Sequence, residues 1–296
     1  LKKEVEKKYE LKTQVLGPNK PDLQEVKVLN RILRWTPEGV KYEADPRHAE
    51  LIIKDLGLQK ANGVTTPGTK EEGRTKSKNE ETFDEQKASE YRAIVARMNY
   101  LAMDRPDIQF AVKKLATSMS KPTNRKWQEL KRLGRYLRAH PRLAFKMPFQ
   151  TASRWEVYTD TDWAGCVRTR KSTSGGCIVL GKHTVKSWSE VQSFIALSSG
   201  ESEFYAALKA SAEGLGMIAM LKDFGVTVNG KVLGDASAAL GIIHRKGLGR
   251  TRHIDTGLLW IQQTAAEKRL EYDKVLGAEN PADLLTKYLN LSLIHI

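Results

Sequence analysis

The chain has 296 residues, enough for two domains and a sizeable core, and its 40% hydrophobic and 28% charged content is that of a globular protein. No apolar run approaches the roughly 20 residues that a membrane-crossing helix needs, and the opening LKKEVEKKYE lacks the apolar core of a signal peptide. Two cysteines, Cys166 and Cys177, without CxxC spacing exclude a disulfide scaffold and a zinc ribbon, fit a reducing compartment and are expected to be packing residues.

Lys and Arg number 49 against 35 Asp and Glu, a net charge of +14. Residues 1–150 hold 32 basic and 20 acidic residues, and 101–150 alone hold 12 against 3, so most of the excess lies in the first half. A stripe that basic attracts polyanions, nucleic acid being the commonest; the plainer alternative is a solvated surface. Without an initiator Met, the chain is expected to be a piece of a longer polypeptide.

In chain order, strands are expected around VKVLNRILRW and GVKYEA, followed by a helix near PRHAELIIKDLG. Residues 58–86 are polar and punctuated by Gly and Pro, which reads as a flexible linker. Three helices follow. Tyr91, Ile94, Val95, Met98 and Leu101 recur at helical spacing in the first. Asp104-Arg105-Pro106-Asp107 opens the second with a cap-type residue and an early proline. The third starts after Pro122-Thr123, with Trp127, Leu130, Leu133 and Leu137 on one side and Arg125, Arg132 and Arg135 on the other, suited to packing and to phosphates at once.

After Pro148 the texture changes to strands RWEVYTD (154–160), GGCIVL (175–180) and HTVKSWS (183–189). A long helix is expected over 199–224, then a strand at 231–235, a short helix, a helix over 254–267, a strand at 269–275 and a closing helix from Asn280-Pro281. The order β-β-β-α-β-α-α-β-α implies a mixed sheet with helices on its faces.

Four acids sit where strand ends and helix starts converge in such sheets: Asp160, Glu203, Asp235 and Asp283. Gathered together they repel, and a divalent cation is the natural compensation, with oxygen-only ligands favouring Mg²⁺ or Mn²⁺. Each also has a plain structural reading: Asp235 as a cap for a helix at Ser237, Asp283 as a first-turn acid, Asp160 as a brace for the turn at 162–165. Ser198 followed by Glu201 fits a capping box, and residues 201 and 203 lie about 200° apart on a helix, so Glu203 is favoured for the site and Glu201 for the cap.

The stretches YTDTDWAG (158–165), RKSTSGG (170–176), LSSGESEFYAA (197–207), RTRHID (250–255) and ENPADLLTK (279–287) resemble the ribonuclease H domain of copia-type retrotransposon Pol polyproteins. YLAMDRPDIQFAVKKLATSMSKPTNRKWQELKRLGRYLRAHP (100–141) is similar to the segment that follows the reverse-transcriptase palm there, and GVKYEADPRHAELIIKDLGLQ and TTPG more faintly resemble the palm's end. The resemblance implies a ribonuclease H-like α/β fold, a mixed five-stranded sheet flanked by helices, preceded by a mainly helical thumb or connection. It divides the chain into a palm remnant (1–57), the linker (58–86), a basic helical connection (87–150), a ribonuclease H-like part (151–289) and a tail (290–296).

The resemblance further implies hydrolysis of the RNA strand of RNA–DNA hybrids with two Mg²⁺ or Mn²⁺ ions. Asp160 would bridge both ions, Asp235 and Asp283 would each anchor one, and Glu203 would help place the attacking water. Selectivity for RNA would come from contacts to 2′-hydroxyls beside Glu203 and on the first strands. The partners implied are the hybrid and the rest of the reverse transcriptase, with no membrane, inside the cell, in the cytoplasm within a virus-like particle and in the nucleus.

The sequence also departs from the pattern. No Asp-Asp dipeptide occurs, so this stretch is not expected to polymerise DNA. The loop VLGAENPAD lacks the His that cellular ribonucleases H carry before the last acid. His253 of RTRHID is one substitute, a structural residue or a phosphate contact being the alternatives, with Arg252 beside it. Arg168, Arg170 and Lys171, between the first two strands of this part, are candidate phosphate contacts or solvated loop charges. Trp163 either stacks on a sugar or base or braces the turn. Two other readings stay open: a non-catalytic nucleic-acid-binding remnant, and a purely structural connection domain.

Overall fold

The computed structural model describes residues 2–69, 82–152 and 154–288. The middle of the polar stretch read as a linker and the tail 290–296 lie outside these. A short helix α1 (Lys2–Glu6) precedes three antiparallel strands, β1 (Glu25–Val28), β2 (Arg31–Thr36) and β3 (Gly39–Glu43). Leu29 and Asn30 join β1 to β2 with φ of 49° and 65°, the two positive values that let a two-residue turn match the strand twist. A strand that the sequence pattern did not suggest, β4 (Ala144–Pro148), returns to pair with β3, Phe145 opposite Tyr42, and completes a four-stranded sheet.

Helices α2 (Pro46–Asp55), α3 (Glu85–Ala102), α4 (Pro106–Ala116) and α5 (Asn124–Ala139) share one apolar core. The spacing read from the sequence is what fills it: Tyr91, Ile94, Val95 and Met98 from α3 meet Leu130, Leu133 and Leu137 from α5, with Ile52 from α2. Asp45, Asp84 and Thr123 cap α2, α3 and α5 with their side chains. Asp104 does not cap α4. It accepts from Arg31 Nε at 2.8 Å and Tyr42 Oη at 2.5 Å, because a cation and a phenol hold a carboxylate more strongly than one backbone amide does. Arg105 takes the cap position without a side-chain cap bond.

Residues 59–66, the start of the polar stretch, are held to α5: Arg132 donates to Thr66 Oγ1 (2.8 Å), Arg135 to the Asn62 carbonyl (2.7 Å) and Arg138 to the Gln59 carbonyl (3.0 Å).

The second sheet is mixed and five-stranded, in the order β7-β6-β5-β8-β9. β5 (Arg154–Asp162), β6 (Thr173–Leu180) and β7 (His183–Val191) form an antiparallel meander, while β8 (Asn229–Gly234) and β9 (Glu271–Lys274) run parallel to β5. The crossovers are α6 (Ser199–Asp223) and the pair α7 (Ser237–His244) and α8 (Trp260–Ala266). Trp155, Val157, Ile178, Phe204, Val232 and Tyr272 fill the core beneath α6. This is the ribonuclease H-like sheet, with β5 at the place where antiparallel pairing changes to parallel. The helix expected over 254–267 begins as a 3₁₀ turn (Thr256–Leu259), and the closing helix is a single 3₁₀ turn, Pro281–Leu285, capped by Asn280.

α4 packs the helical part onto β7 and the Pro281–Leu285 turn. Gln109 Nε2 donates to the Ser187 carbonyl at 3.3 Å, Lys113 Nζ to Thr173 Oγ1 at 2.6 Å, and the Phe110 and Tyr288 rings meet edge to face at 4.8 Å. Among the described residues no helix is long and apolar enough to cross a membrane.

Arg105 is 1% exposed and donates twice to Asp107 (2.9 and 2.7 Å) and once to the His140 carbonyl, pinning α4 to the end of α5. Arg105→Met leaves the half-buried Asp107 carboxylate without its cation, with only the Tyr136 hydroxyl as a partner among the described residues, and is expected to cost about 3 kcal/mol of stability in urea unfolding. A loss below about 1 kcal/mol would show that the pair does not hold the helices together.

Candidate active site

Asp160 lies inside β5, two residues before its end, opposite Gly175 of β6, and is 5% exposed. β5 presents it at the sheet's switch point, where the Pro281–Leu285 turn packs against β5 and β6. Glu203, 8% exposed, comes from the second turn of α6, and Asp235 follows the end of β8 directly. One carboxylate oxygen from each of Asp160, Glu203 and Asp235 lies within 4.8 Å of the others. The structural alternative for Asp235 does not hold, since Ala236 is the cap residue of α7 and makes no side-chain cap bond.

Asp283 reaches the same crevice from the 3₁₀ turn but is not one of the three clustered acids; it pairs with Lys287 Nζ at 2.8 Å. The turn also supplies Thr286, whose hydroxyl donates to Asp160 Oδ2 and which is fully buried. Thr161 donates to Glu203 Oε1 from its backbone N–H (3.2 Å) and its hydroxyl (2.6 Å). Asn280, 4% exposed, donates to the Thr159 carbonyl at 2.9 Å and ties the turn to β5. Thr161, Thr286 and Lys287 were not singled out from the sequence, and Asn280 was read only as the start of the closing helix, although TDTD and ENPADLLTK carry all four. A hydroxyl or ammonium next to a candidate acid was the available signal.

Burial raises the Asp160 carboxyl to about 7; the hydrogen bond from Thr286 and the charge of Lys287 work against this, and the charges of Asp283 and Asp235 add to it. Burial likewise raises Glu203 to about 8, opposed by Thr161 and reinforced by Asp160 and Asp235. Three oxygen donors, two of them pushed toward their neutral forms by burial and, less, by neighbouring carboxylates, suit a hard divalent cation such as Mg²⁺ or Mn²⁺.

Ser198 caps α6 by accepting from the Glu201 N–H at 3.2 Å. The reciprocal half of the capping box is replaced: Glu201 accepts from the Leu197 N–H (2.9 Å), the Tyr205 hydroxyl (2.9 Å) and His253 Nε2 (3.0 Å). His253 is therefore joined to a structural acid and not to the cluster. Trp163 donates to the Ala196 carbonyl at 3.0 Å and leaves its ring 46% exposed, so it braces the loop and still offers a face.

The basic candidates divide in two groups. Arg168 and Arg170 are exposed and Lys171 half-buried on the β5–β6 loop, with Arg168 reaching the Thr117 carbonyl of the helical part at 3.5 Å. Arg252 is exposed beside His253. On α5, Arg132 and Arg135 hold residues 59–66, and Arg125 lies 3.5 Å from Glu129. Cys177 is buried and Cys166 half-buried.

Asp160 and Glu203 bind their protons more tightly in the folded chain than their ordinary values of 3.8 and 4.5 allow in the unfolded one. The folded state therefore holds more protons between about pH 4 and pH 8, and the metal-free protein loses stability as pH rises through that window. Thermal melts are expected to fall from pH 5 to pH 8.5, with millimolar Mg²⁺ restoring the loss at pH 8.5 and doing little at pH 5. Asp235→Asn, which removes a repelling charge, should raise the metal-free melt at pH 8.5. A melting temperature independent of pH and of Mg²⁺ would reject the crowded-carboxylate picture.

No family model matches the chain. It is 30% identical over 209 residues, 68% of this chain, to the retrovirus-related Pol polyprotein from transposon RE2 of Arabidopsis thaliana. It is 26% identical over 295 residues, 97% of this chain, to that from transposon TNT 1-94 of Nicotiana tabacum. It spans 14% and 22% of the length of these two polyproteins. It is also 31% identical over 182 residues to an uncharacterized mitochondrial protein of Arabidopsis thaliana, covering 61% of this chain and 73% of that one. Among solved structures, a ribonuclease H1 isolated from compost by a metagenomic approach aligns with 45% of this chain and 92% of its own, at 18% identity and a TM-score of 0.33. The LC11 ribonuclease H1 in complex with an RNA/DNA hybrid aligns at 17% identity and a TM-score of 0.31, over 45% of this chain and 93% of its own. With sequence likeness running through both of its parts, the chain belongs to the retrovirus-related Pol polyproteins of transposons.

Proposed function

We propose that this chain is the C-terminal part of a copia-type Pol polyprotein and that its acidic crevice cleaves the RNA strand of RNA–DNA hybrids with two divalent ions. The observation that carries the reading is the convergence of Asp160, Glu203 and Asp235 within 4.8 Å at the switch point of a ribonuclease H-like sheet, with Asp283 beside them. In this reading residues 151–289 are the ribonuclease H unit and 87–150 the connection, with 1–57 the end of the palm.

Asp160, Glu203 and Asp235 would hold one ion, and Asp283 together with Asp160 would hold the other. Bound Mg²⁺ or Mn²⁺ supplies the activated water and the charge that stabilises the leaving 3′ oxygen. The chain's own groups set the geometry before anything binds. Thr286 fixes one oxygen of Asp160, Thr161 fixes Oε1 of Glu203, and Asn280 holds the turn that carries Asp283 against β5. Arg168, Arg170 and Lys171 stand on the loop that follows β5 and would take backbone phosphates of the hybrid.

The test is a labelled RNA strand annealed to DNA, with Mg²⁺ or Mn²⁺, beside Asp235→Asn. Cleavage confined to RNA in the hybrid is expected, and the variant should lose at least about two orders of magnitude in rate, since a metal site contributes several kcal/mol to the transition state. Tight, salt-sensitive hybrid binding with no cleavage would favour the non-catalytic remnant instead. Cleavage that survives the substitution would remove Asp235 from the site.

A further inference from the structure

The Pro281–Leu285 turn brings a cation into the crevice as well as an acid. Lys287 follows Asp283 by four residues, and the turn places its ammonium 2.8 Å from Asp283 Oδ2. It also stands in the field of Asp160 and Asp235. Asp283 is the one acid of the four outside the 4.8 Å cluster, and it is the one that already has a positive partner. Its side chain is 25% exposed and that of Lys287 is 44% exposed, so the pair lies at the mouth of the crevice, with Asp160 and Glu203 deeper inside.

Charge counting shows what this pairing does. Four carboxylates are neutralised by two divalent ions. One divalent ion and the Lys287 ammonium leave a single negative charge, and two ions with the ammonium in place overcharge the site. The ammonium and a second ion therefore compete for Asp283. We propose that Lys287 is a resident counter-ion that stands in for the second divalent ion, so that the protein without nucleic acid binds one ion at Asp160, Glu203 and Asp235 and a second only weakly. A phosphate of the incoming strand offers the ammonium another anion and frees Asp283, which couples completion of the site to the arrival of substrate. Lys287 is a positioning residue in this scheme, since it acts through Asp283. The inference rests on the metal-dependent reading above.

The experiment counts Mn²⁺ bound to the full chain without nucleic acid, by calorimetry and by the electron paramagnetic resonance of free Mn²⁺. The chain as it stands should show one strong and one weak site. Lys287→Met should strengthen the weak site by about tenfold or more, as expected for removal of a unit charge at contact distance. Lys287→Arg, which keeps the charge, should resemble the unaltered protein; a purely structural role for Lys287 would not move the Mn²⁺ count in this charge-dependent way. Two equally strong sites in the unaltered protein, or a Lys287→Met variant with unchanged number and affinity, would overturn the proposal. If Asp235→Asn then still abolishes the strong site, the metal reading survives that failure. If neither the unaltered protein nor any variant binds Mn²⁺, the metal reading falls and takes this proposal with it.

Discussion

Asp160 sits near the end of a strand, in the interior, with other carboxylates around it, and the groups that surround it are arranged so that this is tolerable. An ionised carboxylate in such a place is expensive unless it is hydrogen-bonded and offset by positive charge. Part of the answer is protonation, seen in the upward shifts of Asp160 and Glu203. Part is local chemistry: the Thr286 hydroxyl on Asp160, the Thr161 hydroxyl and amide on Glu203, and the Lys287 ammonium on Asp283. Among the described residues the crevice thus holds fastenings for three of its four acids and, in Lys287, one cation, and that shortfall of positive charge is what would suit the site to divalent ions.

The turn that bears Asp283, Thr286 and Lys287 is short and has little helix of its own to stabilise it, so its position has to be imposed from outside. Gly175 of β6 does this on one side. A Cβ on Gly175 would lie 2.7 Å from the Thr286 methyl and 2.8 Å from Leu285 Cβ, so only glycine lets the turn approach the strand that faces Asp160. On the other side the turn meets α4, with Phe110 against Tyr288 and Ser189 Oγ donating to the Leu285 carbonyl at 2.5 Å from β7. The helical part is therefore a wall of the crevice's support, and the placement of Asp283 depends on contacts that cross from one part of the chain to the other.

How much of this was legible in the sequence follows from how local each signal is. The strands and helices of both parts were readable because they obey their periods over several turns or residue pairs, as in Tyr91–Met98 and in the run from Trp155 to Asp160. Strand β4 was not, because AFKMP owes its conformation to β3, a partner far away in the chain. Asp104 was misread as a cap because its real partners, Arg31 and Tyr42, lie on a hairpin that sequence spacing cannot bring near. At the site, the capping pattern together with helix geometry separated Glu203 from Glu201, and in the structure Glu201 has three partners outside the cluster, the Leu197 N–H, the Tyr205 hydroxyl and His253. The positions of Thr286 and Lys287 relative to Asp160 needed the turn to be folded back onto β5, and no periodicity encodes that.

Positive charge was the least literal of the sequence signals. Three of the four arginines of α5, Arg132, Arg135 and Arg138, are spaced every three residues, and the sequence reads that helix as one that packs and faces phosphates at once. Arg132, Arg135 and Arg138 serve as clamps: a hydroxyl and two backbone carbonyls of residues 59–66 take one donor from each. A guanidinium has five N–H donors, so one such bond orders the side chain and leaves its charge and its other donors uncommitted to that bond. The stretch they hold is what leads from the first sheet and α2 toward α3, and a polyanion lying along α5 would meet arginines already ordered, with less rotamer entropy left to lose on binding. On this argument the structural and electrostatic readings of α5 do not compete. The clamp is what would make the stripe a prepared surface, continuous in sign with the exposed Arg168 and Arg170 on the loop beyond the crevice.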